Sequence, residues 1–390
     1  MKLVIDANIP AAEACFGAFG TLTRVAGREI SAADVADADA LIVRSVTQVD
    51  RELLAGSRVG FVGTCTIGTD HVDQAFLAEQ GIGFASAPGC NAEAVVDYVL
   101  SSLLTLAERE GWSLAERTVG IVGVGNVGSR LLTRLTGLGL SVLACDPPRA
   151  EREGAEGFAE LDELIARCDV LCLHTPLVTS GPHATQHLLD AQRINVLSSG
   201  CVLLNAGRGD CVDGLALRSR LSGKGDITAV LDVWEQEPAI DPSLRDLAAL
   251  ATPHIAGYSL DGKLRGSWMI HQALARHWGQ SGELALADIC PPSALASLHL
   301  QHALPPEDAL RLCMNAVYDV RRDHDALHRQ TLHHGMQKGF DACRADYPLR
   351  REFATLDVQL SGDAVALKEV LRAAGFGVSV TVMGAGDSLA

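Results

Sequence analysis

The strongest constraint on this chain is a short glycine pattern, Gly123-Val124-Gly125-Asn126-Val127-Gly128. It follows the apolar run Val119–Val122, which reads as a strand. It opens a helical pattern that runs through Leu131 and Leu135 to about Gly137. A G-x-G-x-x-G motif alone is a weak signal. Between a strand and a helix, each glycine has a task. Gly123 permits a tight turn, Gly125 lets a pyrophosphate approach the backbone, and Gly128 lets the helix pack against the strand. Free N–H groups at the helix start, around Asn126 and Val127, then stabilise the anion. The next apolar run, Ser141–Cys145, ends at Asp146. A carboxylate there accepts hydrogen bonds from ribose hydroxyls and repels a 2′-phosphate, which favours NAD over NADP. Arg149 and Arg152 blunt that preference a little. The bland alternative is a plain turn followed by a surface acid. Motif, context and acid spacing agree against it.

The turn sits inside a longer alternation of apolar runs and helical patterns. Leu3–Ile5, Ala40–Val43, Phe61–Val62 and Ile82–Ala85 read as buried strands, with Asp50–Leu54 and Asp73–Glu79 as helical segments between them. Asn91 opens a long helical stretch to Arg109. After the glycine turn, Asp169–Leu173, Cys201–Asn205 and Ile227–Asp232 supply further strands. Such alternation predicts an α/β fold of two doubly wound, Rossmann-like parallel sheets. The pattern is lost near 282–293, and a smaller α+β region follows. Its end reads as strand, helix, strand over Thr355–Leu360, Ala364–Ala374 and Gly377–Val382. The expected domains are 1–92 plus 257–282, 93–256, and 283–390. A length of 390 residues suits that division.

Charge narrows the partners. Lys and Arg total 32 against 48 Asp and Glu, a net charge of −16, which argues against binding nucleic acid. Aromatic residues are 4% of the chain, too few for a base-stacking platform. A small phosphorylated substrate stays compatible, because it needs only a few local cations. Asp6 interrupts the first apolar run too early for a signal peptide, and no uncharged apolar stretch approaches a membrane span. A cytoplasmic protein is expected. The eleven cysteines are an odd count without CxxC spacing, so free buried thiols are expected.

Three residues follow at the carboxyl ends of later strands: Arg208, Glu237 and His254. Ligands of open α/β sheets bind at those ends. The set fits oxidation of an alcohol. A histidine takes the hydroxyl proton, a carboxylate stabilises the imidazolium, and a guanidinium binds a substrate carboxylate bidentately. Each residue alone has a bland reading, as a surface arginine, a loop acid and a satisfied histidine. The ordered trio downstream of a dinucleotide turn favours catalysis.

The glycine turn, Asn205-Ala206-Gly207-Arg208-Gly209, Leu231-Asp232-Val233 and Pro253-His254 together resemble the D-2-hydroxyacid dehydrogenases over roughly residues 1–280. The stretches Cys65–Asp73, Ser86–Ala92 and Pro253–Lys263, with the C-terminal region, extend the resemblance over essentially the whole chain. It implies NAD-dependent oxidation of a phosphorylated small 2-hydroxy acid, with Arg208, Glu237 and His254 in the active site and His254 carrying the proton. It implies NAD contacts at Asn126, Val127, Asp146, Thr175, Ala206, Gly207, Arg208, Asp232 and Gly257, and substrate contacts at Ser45, Thr66 and Tyr258. It also implies a homodimer held by the C-terminal domain. Without the family, Ser45 and Thr66 read as ordinary loop hydroxyls. Two alternatives stay open: a related dehydrogenase such as one acting on phosphoglycerate, and a dinucleotide-sensing protein without turnover.

Other signals are weaker. His183 and His187 have a metal-like spacing but lack the accompanying glutamate, so a zinc site is improbable. His324, His328, His333 and His334 read as a solvated helical face. Arg344, Arg350 and Arg351 form a small basic group, read as solvated surface or, more boldly, as the source of one arginine that reaches a partner subunit's cleft and binds the substrate phosphate.

Overall fold

The computed structural model describes residues 1–381. Val382, the last residue of the expected final strand, lies outside them. The strands are β1 (Lys2–Asp6), β2 (Thr21–Val25), β3 (Ala40–Val43), β4 (Phe61–Thr64), β5 (Gly83–Ala85), β6 (Thr118–Val122), β7 (Ser141–Cys145), β8 (Val170–Leu173), β9 (Val202–Asn205), β10 (Thr228–Leu231), β11 (Leu250–Ala251), β12 (Ser297–Leu300), β13 (Asp357–Leu360) and β14 (Gly377–Val380). They form three sheets, ordered β2-β1-β3-β4-β5, β11-β10-β9-β8-β6-β7 and β12-β13-β14. All pairings between these strands are parallel. The α/β class with two Rossmann-like sheets and a smaller third is therefore as expected from the sequence.

The chain divides into two units. The first comprises Met1–Glu93 and Tyr258–Pro292; the second comprises Ala94–Gly257 and the chain from Ser293 onward. In the first unit, β3 and β4 are buried at every position. Such strands are covered on both faces, which is why they read as continuous apolar runs. One cover is the helix Leu260–His277, whose Ile270 and Leu274 join Phe61, Ile42 and Leu3 in a common core. Gly63 lies where a Cβ would meet Ile270 at 2.4 Å, so a side chain there would push that helix off the sheet.

In the second unit, β6 is flanked by β7 and β8, so the chain reverses direction across the sheet at that point. The helix Ala92–Glu110 is the spine: Val96, Tyr98, Val99 and Leu103 are fully buried. Its Asp97 pairs with Arg134 at 2.5 Å and accepts a hydrogen bond from the Phe353 N–H at 2.9 Å. Burial pushes the Asp97 carboxyl up to about 6, against the pull of Arg134. Helices Pro306–Val317, Val320–His334 and Met336–Ala345 belong to this unit, and Leu327 and Phe340 join its main core.

Three strands are absent from the sequence reading. β2 is half exposed, β11 has two residues, and β12 buries only Leu300. β2 and β12 make no apolar run, and β11 is too short to stand out from the Ala-rich stretch before it. His324 also departs from its expected solvated role, since its ring accepts the Ala251 N–H at 3.0 Å and anchors β11. All eleven cysteines are free, and all but Cys290 and Cys343 are buried.

Candidate active site

The glycine turn follows β6 at the reversal point of the second sheet, where such sheets bind ligands. Gly123 has φ +87°, and a Cβ there would lie 2.9 Å from the His174 carbonyl carbon. Gly128 has no room either, because a Cβ would fall 2.0 Å from the Gly123 oxygen. Gly125 is different: nothing lies within 4 Å of its missing side chain. That open position, at the N-cap of the helix Asn126–Gly137, is the cradle a pyrophosphate needs. The residues present therefore fit a dinucleotide.

Asp146 follows β7, and its carboxylate accepts the Val124 N–H at 2.8 Å and the Arg149 N–H at 3.0 Å. The acid is thereby fixed against the glycine turn. Arg149 and Arg152 both pair with Glu153, at 2.7 Å each. Arg149 also donates to the Val124 carbonyl at 2.7 Å, so it stays beside the turn with its charge shared by Glu153. Beside the turn lies a cavity of about 200 Å³ lined by Gly123, Asp146, Pro147, Thr175, Pro176 and Val178, among others. Its apolar walls suit a flat ring such as adenine. Thr175 is buried and its hydroxyl lies 3.4 Å from the Cys211 thiol.

The loop after β9 carries Arg208. Asn205 stitches it, donating to the Arg208 carbonyl at 2.9 Å and accepting the Gly207 N–H at 3.1 Å. Gly209 abuts the Trp234 backbone, where a Cβ would come within 1.9 Å of the carbonyl carbon. The Arg208 loop is thus pressed against the loop after β10, which holds Glu237.

His254 and Glu237 meet directly. The imidazole Nδ1 lies 2.8 Å from Glu237 Oε2, and the Trp234 N–H donates to Oε1 at 2.9 Å. Arg344, from the helix Met336–Ala345, approaches the same Oε2 at 3.7 Å. Burial alone would raise the Glu237 carboxyl; the His254 hydrogen bond and charge, the Trp234 N–H and Arg344 outweigh it and hold it below the ordinary glutamate value. The pair leaves Nε2 of the imidazole facing away from the carboxylate, as a general base requires.

The loop that presents His254 is built on Asp232. His254 has φ +57°, and its N–H bonds the Asp232 carbonyl at 2.7 Å. The Asp232 carboxylate accepts from the Ile255 N–H at 2.8 Å, the Ala256 N–H at 3.0 Å and the Thr252 hydroxyl at 2.6 Å. Asp232 is fully buried, and burial raises its carboxyl despite the His254 charge. The structure gives this residue a loop-building role that the sequence reading, which assigned it to NAD, did not include. On the far side of the loop, Arg350 donates to the Ala256 carbonyl at 3.0 Å and the Ala94 carbonyl at 2.5 Å, with its guanidinium 3.6 Å from the Tyr318 ring centre. Its burial overturns the solvated-surface expectation for that residue. A long sequence separation hid both arginine contacts.

The expected substrate residues lie in the first unit. Ser45 is exposed after β3. The Thr66 hydroxyl lies 2.8 Å from that of Thr64, and Tyr258 lies under the Lys263 ammonium, 4.7 Å from the ring centre. Arg44, beside Ser45, is tied to the buried Asp6 at 2.9 Å. His183 and His187 do not meet at a common centre. They pair separately with Glu151 and Glu235, at 3.0 and 2.8 Å.

Comparison with known proteins places this geometry. Residues 100–256 match the D-isomer specific 2-hydroxyacid dehydrogenase NAD binding domain. Residues 289–375 match a family described only as a Domain of unknown function (DUF3410). An erythronate-4-phosphate dehydrogenase of Chromohalobacter salexigens is 57% identical over 98% of this chain and 100% of its own length.

The chain belongs to the erythronate-4-phosphate dehydrogenase family.

A second family member, from Pseudomonas fluorescens, is 52% identical over 96% of this chain and 99% of its own. Among solved structures, the D-lactate dehydrogenase of Aquifex aeolicus, complexed with NAD and lactic acid, aligns with a TM-score of 0.60 at 23% identity. It covers 72% of this chain and 96% of its own. A glyoxylate/hydroxypyruvate reductase of Sinorhizobium meliloti aligns with a TM-score of 0.59 at 26% identity, covering 72% and 94%. More than a quarter of this erythronate-4-phosphate dehydrogenase family chain therefore has no counterpart in either structure. No helix among the described residues is long and apolar enough to cross a membrane.

Proposed function

We propose that the chain oxidises 4-phospho-D-erythronate to 2-oxo-3-hydroxy-4-phosphobutanoate with NAD, a step of pyridoxal 5′-phosphate (vitamin B6) biosynthesis. The observation that carries the reading is the 2.8 Å contact between His254 Nδ1 and Glu237 on a sheet whose turn fits a dinucleotide. Bound NAD supplies a nicotinamide ring as hydride acceptor. His254 accepts the C2 hydroxyl proton at Nε2, and Glu237 stabilises the resulting cation. Arg208 binds the C1 carboxylate through its forked donors. Asn126, Val127, Asp146, Thr175, Ala206, Gly207 and Gly257 are assigned to NAD binding.

Ser45, Thr66 and Tyr258 are assigned to substrate. For the phosphate we add Arg44 and Lys263. The helix Leu260–His277 touches the ends of β1 and β4, through Ser267 on the Pro10 carbonyl and Gly266 on Cys65. The sheet order puts β3, and so Arg44, between those ends. Burial, then the Arg44 charge, lowers the Lys263 amine to about 8. A phosphate dianion would relieve that strain.

A homodimer formed through the C-terminal domain, in the cytoplasm, completes the reading. Leu332 and Leu349 are 83% and 67% exposed, more than any other large apolar side chain described, and both belong to that domain. The test is steady-state NADH formation on 4-phosphoerythronate and 3-phosphoglycerate side by side, with His254→Ala as control. Preference for phosphoglycerate, or near-normal turnover by the variant, refutes the reading. Sedimentation of the wild type and of Leu332→Lys and Leu349→Lys tests the dimer.

A further inference from the structure

We propose that Arg344 is a positioning residue of the proton relay, supplied by the C-terminal domain. Its guanidinium shares one carboxylate oxygen with the base that the reaction uses. Glu237 Oε2 has His254 Nδ1 at 2.8 Å on one side and Arg344 Nη1 at 3.7 Å on the other. The other oxygen is committed to the Trp234 N–H. One carboxylate therefore serves two cations whenever the imidazole is protonated.

The consequence has a definite sign. A guanidinium is charged at every working pH. It competes with the imidazolium for Oε2, so it weakens the hold of Glu237 on the proton taken from substrate. It also keeps Glu237 ionised as the pH falls. The first effect extends the range over which His254 is a free base toward acid; the second does not offset it, because the Glu237 carboxyl is already held below the ordinary glutamate value and stays ionised over the working range. Other groups facing the pair do not reproduce this. Asp232 also faces His254, but it is buried and its oxygens serve the 252–256 loop. The Phe340 ring, 5.8 Å from the guanidinium, helps hold Arg344 in place.

The domain that supplies this residue matches a family of unknown function, and the proposed homodimer gives it a part in assembly alone. Arg344 and Arg350 both lie in the matched segment. Arg350 holds the Ala256 carbonyl, two residues beyond the base, while Arg344 holds the base's carboxylate. The same domain thus touches the relay twice, and the inference gives it a part in the chemistry beside any part in assembly. It rests on the proposed roles of Glu237 and His254.

The experiment is the pH profile of kcat/KM for wild type, Arg344→Ala and Arg344→Lys, with NAD and 4-phosphoerythronate. The imidazole resonance of His254 is followed by NMR in the same proteins without substrate, assigned by its loss in His254→Ala. In Arg344→Ala the acid limb and the imidazole titration should both move to higher pH by about half to one unit. The KM values should stay within about twofold, and Arg344→Lys should restore most of the profile. An unchanged profile and titration overturn the proposal. So does a rise in KM for the phosphorylated acid without a change of profile, which would make Arg344 a substrate contact. If Arg344→Ala does not fold, Arg344→Gln takes its place. Retained turnover in His254→Ala would instead refute the relay itself, separately from the role of Arg344.

Discussion

Replacing Glu237 by Gln removes one charge and keeps the shape. The bare Coulomb attraction across 2.8 Å is about 6 kcal/mol at an effective dielectric constant near 20. Two corrections reduce it. The His254 side chain is 36% exposed, so solvent screens part of the attraction. The glutamine oxygen also still accepts from Nδ1, and the difference between a charge-assisted and a neutral bond is about 1–1.5 kcal/mol. A net loss of about 2–3 kcal/mol follows, or about 30- to 150-fold in kcat. The assay is initial-rate NADH formation with both substrates saturating. KM should change little, because neither proposed ligand rests on Glu237. The acid limb of kcat/KM should move to lower pH, since the protonated imidazole has lost its counter-charge. Glu237 itself does not set that limb in the wild type, because its carboxyl is held below the ordinary 4.5. A fall in kcat of less than about threefold, or an acid limb that moves upward, would refute the reasoning.

Gly125→Ala and Gly128→Ala should behave oppositely. The first has open space at its Cβ, so it should melt like wild type while calorimetry finds NAD binding weakened at least about tenfold. The second places a Cβ 2.0 Å from the Gly123 oxygen, so it should lower the melting temperature by several degrees or prevent folding, a destabilisation of about 2–4 kcal/mol. Lys263→Met should raise KM for 4-phosphoerythronate by about tenfold or more while leaving that for unphosphorylated erythronate within about twofold. In the wild type, the Lys263 charge is present below about 8 and lost above it, so KM for the phosphorylated acid should climb as pH rises through that value. Equal KM changes for the two acids would remove Lys263 from the phosphate site. Asp146→Ser should narrow the preference for NAD over NADP, read as the ratio of kcat/KM values, by about tenfold or more; an unchanged ratio would detach the acid from cofactor choice.

Much of this molecule was readable from local pattern. The buried parallel strands β3 and β8 are apolar throughout, and β4 and β6 are apolar apart from one glycine and a threonine at one end, so each announced itself as a run. The glycine turn was readable because Gly123 and Gly128 answer steric demands of the turn itself and Gly125 leaves the open space a pyrophosphate needs. Asp146 and Arg208 were readable because each follows a strand whose carboxyl end could be located, whereas His254 follows β11, which makes no legible strand, and was readable only from its order after the dinucleotide turn and the Pro253-His254 pair. β2 and β12 were missed because an exposed or edge strand carries no apolar run. The approach of Arg344 to Glu237 was missed for a different reason. An ion pair between residues so far apart in the chain leaves no periodicity, and one arginine of a small basic group looks like any solvated one. The assignment of Asp232 was incomplete because its neighbours in sequence do not reveal that its oxygens face the backbone of 252–256.

The split of the first unit between Met1–Glu93 and Tyr258–Pro292 has a consequence for how the protein is made. The sheet β2-β1-β3-β4-β5 leaves the ribosome early, yet Ile270 and Leu274, which finish its core, follow only with the helix Leu260–His277. At about 5–20 residues per second, that helix emerges on the order of ten seconds or more later. Throughout that interval Leu3, Ile42 and Phe61 lack their cover. The nascent chain therefore presents a greasy, unfinished sheet while the dinucleotide domain is still being translated. This is the stage at which a holding chaperone would matter most to the cell's yield of the enzyme.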